Sequence, residues 1–127
     1  MGQVCGIGID AVDISRLRAV LARRPSLAQR VFTDRERAYA SRGADPARRL
    51  AARFAAKEAA LKALGVGLGA ADFADLEVVR DDDGRPHLAV CGRAAALAAR
   101  RGVEHWHLSL THTDTVAVAS AVAEGRP

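Results

Sequence analysis

One segment limits what this chain can fold into more than any other: a long, alanine-rich helix predicted over residues 46–64. Asp45 and Pro46 supply an N-cap and a first-turn proline, and Gly65 supplies the left-handed residue that often ends a helix. A helix of this length in a small protein has an apolar face that must be buried against another element. The rest of the chain must therefore provide a surface that covers this helix.

Strands are the elements that can provide that surface. Glycines alternate with apolar residues near the N-terminus, which predicts a buried strand, and two hairpins follow the helix. The first hairpin turns through D-D-D-G-R-P and the second through H-T-D-T. The predicted strands are residues 3–12, 76–80, 87–91, 105–111 and 116–123.

Shorter helices are predicted over residues 16–24, 34–43 and 93–101. Ser15 is the expected cap of the first, which Pro25 ends or kinks, and the capping box T-D-R-E opens the second. The order β-α-α-α-β-β-α-β-β predicts an α+β fold, with a mainly antiparallel sheet packed against the long central helix. A length of 127 residues fits a single domain spanning 1–127.

Charge and composition narrow the class of partner. The net charge of +4 favours an anionic partner. A nucleic-acid-binding domain is disfavoured, because aromatic residues make up only 4% of the chain and no zinc spacing or RNA-binding motif is present. No apolar run has the length of a membrane span, which predicts no membrane association. Without a basic, signal-like N-terminus and with only two cysteines, the sequence predicts a reducing, cytoplasmic location.

The basic residues show an unusual bias. Of 19 lysines and arginines only two, Lys57 and Lys62, are lysine, and both lie in the long helix. Chance can produce this pattern. The alternative is that these positions need a compact ammonium rather than a planar guanidinium, and that interpretation predicts a large cost for Lys62→Arg and a milder one for Lys57→Arg.

Two groups of polar residues are candidates for a phosphate and metal site. Asp10 ends an apolar G-I-G-I-D segment, where a buried carboxylate needs an ionic partner or a metal. In the long helix, Glu58 and Lys62 share one stripe with Phe54, while Lys57 lies about 100° away from Glu58. A carboxylate among cations suits a phosphorylated ligand with a divalent cation. A solvated helix face and a structural ion pair are the alternatives.

A third group lies near the C-terminus, in Ser109-Leu110-Thr111-His112-Thr113. Hydroxyl groups and an imidazole gather there at the end of a strand. They can contact phosphate or place a general base. A polar hairpin tip is the alternative.

Taken together, G-I-G-I-D, F-A-A-K-E-A-A-L-K-A-L-G and L-S-L-T-H-T resemble the holo-acyl-carrier-protein synthase group of 4′-phosphopantetheinyl transferases. The segments occur in the same order and cover nearly the whole chain, and the G-R-P turn also fits. Ala11 and Asp13 depart from the residues usual in the family. The resemblance implies an enzyme that transfers the phosphopantetheine arm of coenzyme A to a serine of apo-acyl carrier protein and releases 3′,5′-ADP.

The resemblance also implies roles for individual residues. Asp10 and Glu58 would hold Mg²⁺, with Mn²⁺ as an alternative. Glu58, Lys62 and His112 would be catalytic. The first choice of base is a metal-bound water that passes its proton through Glu58, and His112 or Lys62 is the second choice. The residues implied in coenzyme A binding are Arg53, Lys57, Lys62, Gly65, His112 and Thr113.

The implied partners are coenzyme A, an acidic carrier protein and further copies of the chain. Carrier proteins of this class are acidic, so an arginine-rich first helix suits a docking surface for them. Its arginines are Arg16, Arg18, Arg23 and Arg24. The alternative is a solvated basic face. Family members of this kind are homotrimers with active sites between subunits. A non-catalytic carrier-protein or nucleotide-binding module of the same fold is the remaining alternative.

Overall fold

A computed structural model describes residues 2–126. The elements in chain order are β1 (Gln3–Asp13), α1 (Ile14–Arg23), α2 (Pro25–Val31), α3 (Asp34–Ser41), α4 (Pro46–Ala63), β2 (Leu76–Arg80), β3 (Pro86–Val90), α5 (Gly92–Arg100), β4 (Val103–His112) and β5 (Val116–Gly125). A short 3₁₀ turn, Phe73–Asp75, leads into β2. The predicted α+β class is confirmed.

The strands form two antiparallel sheets rather than one. The larger sheet has the order β1-β5-β4, and the smaller one is the β2-β3 hairpin. In the larger sheet Ala119 of β5 lies opposite Asp10 on one side and opposite Leu110 on the other. This register decides which side chains from the two outer strands come to the same level.

Helix α4 lies against the inner face of the larger sheet, and small residues allow it to come close. The inward positions of β5 are alanines, and those of β1 include Gly6 and Gly8. A Cβ atom at Gly8 would lie 1.8 Å from the carbonyl oxygen of Ala59, and one at Gly6 would lie 1.8 Å from that of Ala63. The backbones of β1 and α4 are therefore in direct contact. The predicted packing of sheet on central helix is confirmed.

The ends of α4 follow the sequence prediction. Asp45 caps its first turn by accepting from the Arg48 N–H, and Pro46 occupies the first helical position. Gly65 follows the helix with a φ of +74°, a left-handed conformation that L-residues rarely adopt. The capping box of α3 is also present, with Thr33 and Glu36 as its two partners.

One local prediction was wrong, and one helix was not predicted. The cap of α1 is Asp13, whose carboxylate accepts from the Arg16 N–H at 2.9 Å, and not Ser15. Strand β1 continues to Asp13 and turns directly into the helix, so Ser15 falls inside the first turn. Pro25 ends α1 as predicted but also begins a further helix, α2, which buries Val31 in the core.

Candidate active site at the junction of β1 and α4

Asp10 is held on the inner face of β1, where its neighbours in the strand are too small to keep α4 away. Its side chain is only 10% exposed. The ammonium of Lys62, the next-to-last residue of α4, donates to Asp10 Oδ1 and to the Ile9 carbonyl, each at 3.0 Å. The close contact of Gly8 with Ala59 brings these groups within reach of each other.

Glu58 lies one turn before Lys62 and faces the same carboxylate. The pKa of Glu58 is raised to about 7, first by burial and then by its hydrogen bond with Asp10 and the negative charge there, while Lys62 opposes the rise. Two ionised carboxylates have no proton with which to form a hydrogen bond to one another. With both carboxylates ionised, Asp10 Oδ2 is buried without a hydrogen-bond donor in the part of the chain described. The pair therefore needs a shared proton or a cation.

The residues present fit a hard divalent cation. An unpartnered carboxylate oxygen beside a second carboxylate is a suitable donor set for Mg²⁺, which typically takes one or two protein carboxylates together with substrate oxygens and water. Within residues 2–126 no group of three or more His, Cys, Asp or Glu side chains is placed to enclose a metal by itself. Such a site is open and suits a metal shared with a phosphorylated substrate.

Glu58 also borders two cavities. One, of about 310 Å³, lies between β1, α1, α2 and α4 and has a mostly apolar wall that includes Leu17 and Phe54, with Arg16 also lining it. The other, of about 140 Å³, is lined by Lys62, Leu68 and their neighbours. Glu58 therefore borders two spaces open to ligands.

Lys57 is not part of this group. Its side chain is fully buried, and its ammonium donates to Glu36 Oε1 at 2.8 Å, to the Phe73 carbonyl at 2.9 Å and to the Leu76 carbonyl at 2.8 Å. Burial lowers the pKa of Lys57, and Glu36 opposes that shift. The ammonium has no hydrogen left for a phosphate, so the structure corrects the expectation that Lys57 faces the ligand.

Arg53 lies on the same side of α4 as Lys57 and is also buried, with 2% of its surface exposed. Its guanidinium stacks on the Tyr39 ring at 4.2 Å, beside Arg49 at 4.3 Å and Arg80 at 5.5 Å. In the described chain its Nε atom has no hydrogen-bond partner. Arg53 belongs to an arginine cluster around Tyr39, separate from Asp10 and Glu58.

Comparison with known proteins identifies a family for the chain. The model of the 4′-phosphopantetheinyl transferase superfamily matches residues 6–121. The chain belongs to this superfamily.

Relatives of this transferase match along nearly their whole length. A holo-[acyl-carrier-protein] synthase of Frankia casuarinae is 52% identical over 121 residues, which cover 95% of this chain and 98% of the relative. The solved holo-(acyl-carrier-protein) synthase of Bacillus anthracis, in complex with CoA (3′,5′-ADP), is 35% identical with a TM-score of 0.80, covering 97% and 98% of the two chains. The holo-ACP-synthase of Plasmodium yoelii is 27% identical with a TM-score of 0.88, covering 100% and 99%. The predicted family and enzyme class are confirmed.

The C-terminal group lies apart from Asp10 in a single copy of the transferase. His112 pairs with Ala117 at the end of β4, while Asp10 is on β1, and β5 runs between them. Two strand spacings separate the outer strands by roughly 10 Å. Thr113 turns its hydroxyl inward on the hairpin, where it accepts from the Val116 N–H at 3.0 Å. One chain does not bring His112 and Thr113 to the carboxylate pair.

The other predicted residues are exposed. Gly65 lies in the turn after Lys62, and Arg16, Arg23 and Arg24 project from α1 and its C-terminal end. Arg18 differs from them because it forms an ion pair of 2.7 Å with Asp45. These arginines are all accessible, although Arg18 is held by Asp45.

Sequence reasoning missed two residues of this region. Glu36 was assigned only to a helix cap, although it is also the buried partner of Lys57. Tyr39, the centre of the arginine cluster, was not singled out. A signal for Glu36 did exist, since a capping-box glutamate that lies over an apolar helix face is an available partner for a buried cation. For Tyr39 the sequence offers no such signal.

Proposed function

We propose that this transferase moves the 4′-phosphopantetheine group of coenzyme A to a serine of apo-acyl carrier protein. The observation that carries the proposal is the Asp10–Glu58 carboxylate pair with an unpartnered oxygen and a lysine beside it. Phosphoryl transfer depends mainly on positioning and charge stabilisation, which such a group supplies. The Frankia and Bacillus anthracis proteins, both holo-acyl-carrier-protein synthases, support the same activity.

In this proposal Asp10 and Glu58 hold Mg²⁺, and Mn²⁺ is the alternative. When bound, the ion neutralises charge on the pyrophosphate of coenzyme A. Lys62 already points its ammonium at Asp10 and is half-exposed, so it can turn to a phosphate oxygen without a large change in burial. It stabilises the charge that develops on the leaving group.

The bond changes are those of a simple displacement. The serine hydroxyl oxygen attacks the β-phosphorus, the bond from that phosphorus to the bridging oxygen breaks, and 3′,5′-ADP leaves. The serine proton passes through a water molecule to Glu58. His112 and Lys62 remain the alternative bases.

We propose that the enzyme works as a homotrimer with its active sites between subunits. The outer face of β1 supports this, because Ile7 and Ile9 are 67% and 63% exposed, which is unusual for two large apolar residues on one strand face. The separation of His112 and the arginine cluster from Asp10 also supports it, since a neighbouring copy can bring them to the nucleotide. Sedimentation should then give a mass of three chains.

The same proposal assigns the exposed arginines Arg16, Arg23 and Arg24 to an acidic carrier protein. Arg16 lines the 310 Å³ cavity that Glu58 borders, and Arg23 and Arg24 line a neighbouring cavity that shares Val20 and Leu27 with it. This placement supports the proposal, because the acceptor serine must reach Glu58. A cytoplasmic location is supported by the free thiols of Cys5 and Cys91. No helix within residues 2–126 is long and apolar enough to cross a membrane.

Mass spectrometry tests the activity directly. The protein is mixed with coenzyme A, Mg²⁺ and an apo-acyl carrier protein, and the carrier is then weighed. The proposal expects a mass gain of one phosphopantetheine group on the carrier, dependent on Mg²⁺ and lost in a carrier whose acceptor serine is changed to alanine. An unmodified carrier in the presence of a folded protein and added Mg²⁺ contradicts it.

A further inference from the structure

Lys57 forms the most completely buried polar contact of α4. Its ammonium is 0% exposed and uses its three hydrogens on Glu36, on the carbonyl of Phe73 and on that of Leu76. The two carbonyls belong to the 3₁₀ turn before β2 and to the first residue of that strand. Lys57 thus attaches α4 to the start of the smaller sheet.

Glu36 extends this connection to α3. Its Oε1 atom accepts from the Thr33 N–H at 3.0 Å as well as from Lys57, and its Oε2 atom accepts from the Val78 N–H at 2.9 Å. Every contact is to a group in the fold rather than to solvent, and the Glu36 side chain is itself fully buried. One ion pair therefore connects α3, α4 and β2.

The position of Lys57 on the helix gives this network a role in the site. Successive residues of an α-helix are rotated by about 100°, so Lys57 and Ala59 face nearly opposite sides, and Glu58 projects between them. Ala59 is in close contact with Gly8 of β1, and Lys57 is fixed to Glu36 and β2. Contacts on both sides therefore prevent α4 from rotating about its axis.

We propose that Lys57 is a positioning residue for Glu58. The buried ion pair with Glu36 fixes the rotation of α4 so that the Glu58 carboxylate faces Asp10 in the geometry that binds the divalent cation. Lys57 acts through the helix and touches no substrate. This inference rests on the proposed function for its effect on catalysis, but its effect on metal binding can be measured without turnover.

The sharpest test removes both members of the pair. Changing one of them leaves a buried charge unpaired, which is strongly destabilising, whereas replacing both with neutral side chains of similar size is often tolerated. The double variant Lys57→Met/Glu36→Gln is compared with wild type for folding by circular dichroism, for Mg²⁺ binding by calorimetry and for transfer kinetics. Leu97→Ala, which removes a buried side chain of α5 and leaves a cavity, is the control for lost stability alone.

We expect the folded double variant to bind Mg²⁺ at least ten-fold more weakly and to lose at least ten-fold in kcat, with the KM for carrier protein unchanged. Part of the lost kcat should return at high Mg²⁺. Leu97→Ala should lower the melting temperature and leave Mg²⁺ binding unchanged. A folded double variant with wild-type Mg²⁺ affinity overturns the proposal, even if wild type proves to lack transferase activity.

A single variant that keeps both charges leaves the proposal testable should the double variant not fold. Glu36→Asp retains the ion pair, but its side chain is shorter by one methylene and cannot reach the Lys57 ammonium and the Val78 N–H together. We expect a weaker shift in Mg²⁺ affinity in the same direction, of about three-fold. Wild-type Mg²⁺ affinity in a folded Glu36→Asp protein would overturn the positioning role.

Discussion

Substituting alanine for Gly8 probes the contact on which the carboxylate site depends. The added Cβ atom would lie 1.8 Å from the Ala59 carbonyl oxygen, while ordinary van der Waals contact begins near 3.4 Å. The atom it meets is helix backbone, which cannot rotate away as a flexible side chain does. Strand β1 and helix α4 must therefore move apart by an amount comparable to the missing 1.6 Å.

The energetic cost follows from the overpacking of a closely packed interface. Inserting one methyl group into such a core costs about 1–3 kcal/mol, and contact with rigid backbone places Gly8→Ala near the upper end. For a domain of this size, a loss of about 2–3 kcal/mol lowers the Tm by roughly 6–15 °C. The same movement stretches the 3.0 Å Lys62–Asp10 contact well beyond hydrogen-bonding distance.

The assay combines thermal unfolding, followed by circular dichroism, with transfer kinetics at saturating Mg²⁺. A misplacement of about 1 Å at reacting groups can cost on the order of 100-fold, so we expect kcat/KM to fall by about that factor. Gly67→Ala is the stability control, because a Cβ atom there meets nothing within 4 Å. The reasoning would be refuted by a Gly8→Ala protein that retains full activity and whose Tm lies within about 2 °C of the wild-type Tm.

Four further outcomes are expected. Glu58→Gln should abolish transfer and keep the wild-type circular dichroism spectrum, because it removes a metal-binding charge at constant size; near-normal turnover would remove Glu58 from the site. Mg²⁺ should raise the Tm more at pH 8 than at pH 5.5, because Glu58, with a pKa of about 7, must lose its proton to bind the cation; equal shifts would contradict this. Arg23→Glu should raise the KM for carrier protein, increasingly so at low salt, and leave that for coenzyme A unchanged. Lys62→Arg should lower kcat/KM by about ten-fold, or about 1.4 kcal/mol, with little change in stability, whereas Lys57→Arg should mainly reduce stability.

The last comparison adds folding stability to an expectation that the sequence made for catalysis alone. With only two lysines in the chain, composition predicts that both need a compact ammonium, and the helical stripe predicts that position 57 is the more tolerant. The structure shows that Lys57 has no exposed surface and no free hydrogen. A guanidinium has more volume than this buried site provides. Lys57→Arg is therefore expected to be the more damaging change to folding.

Local signals in the sequence were sufficient for most of the elements, although they did not predict α2. The start and end of α4 depend on Asp45, Pro46 and Gly65, and these act through bonds and φ angles within one turn of the chain. Alternating glycine and apolar residues likewise predicted β1. The pairing of Asp10 with Glu58 and Lys62 could be anticipated from the family resemblance, because the three positions lie in its motifs.

Spacing along a helix could not show which polar side chains would be buried. Glu58 and Lys57 are adjacent, and both faces of α4 carry charge, so the pattern is the same whether Lys57 meets solvent or a buried carboxylate. The outcome depends on Glu36, which lies 21 residues away and reaches Lys57 only after α3 packs on α4. The separation of His112 from Asp10 was equally hidden, because it follows from β5 lying between the outer strands.

The sequence by itself determined the helix, the strands and the family to which the chain belongs. Tertiary structure alone decided that Lys57, next to Glu58 in the helix, is buried in the core while Asp10 keeps an unsatisfied oxygen. The physical reason is the range of the interactions. Caps, turns and periodicity act between residues a few positions apart, whereas burial and ion pairing depend on which surfaces meet, and here the absence of a side chain at Gly8 allows β1 and α4 to meet.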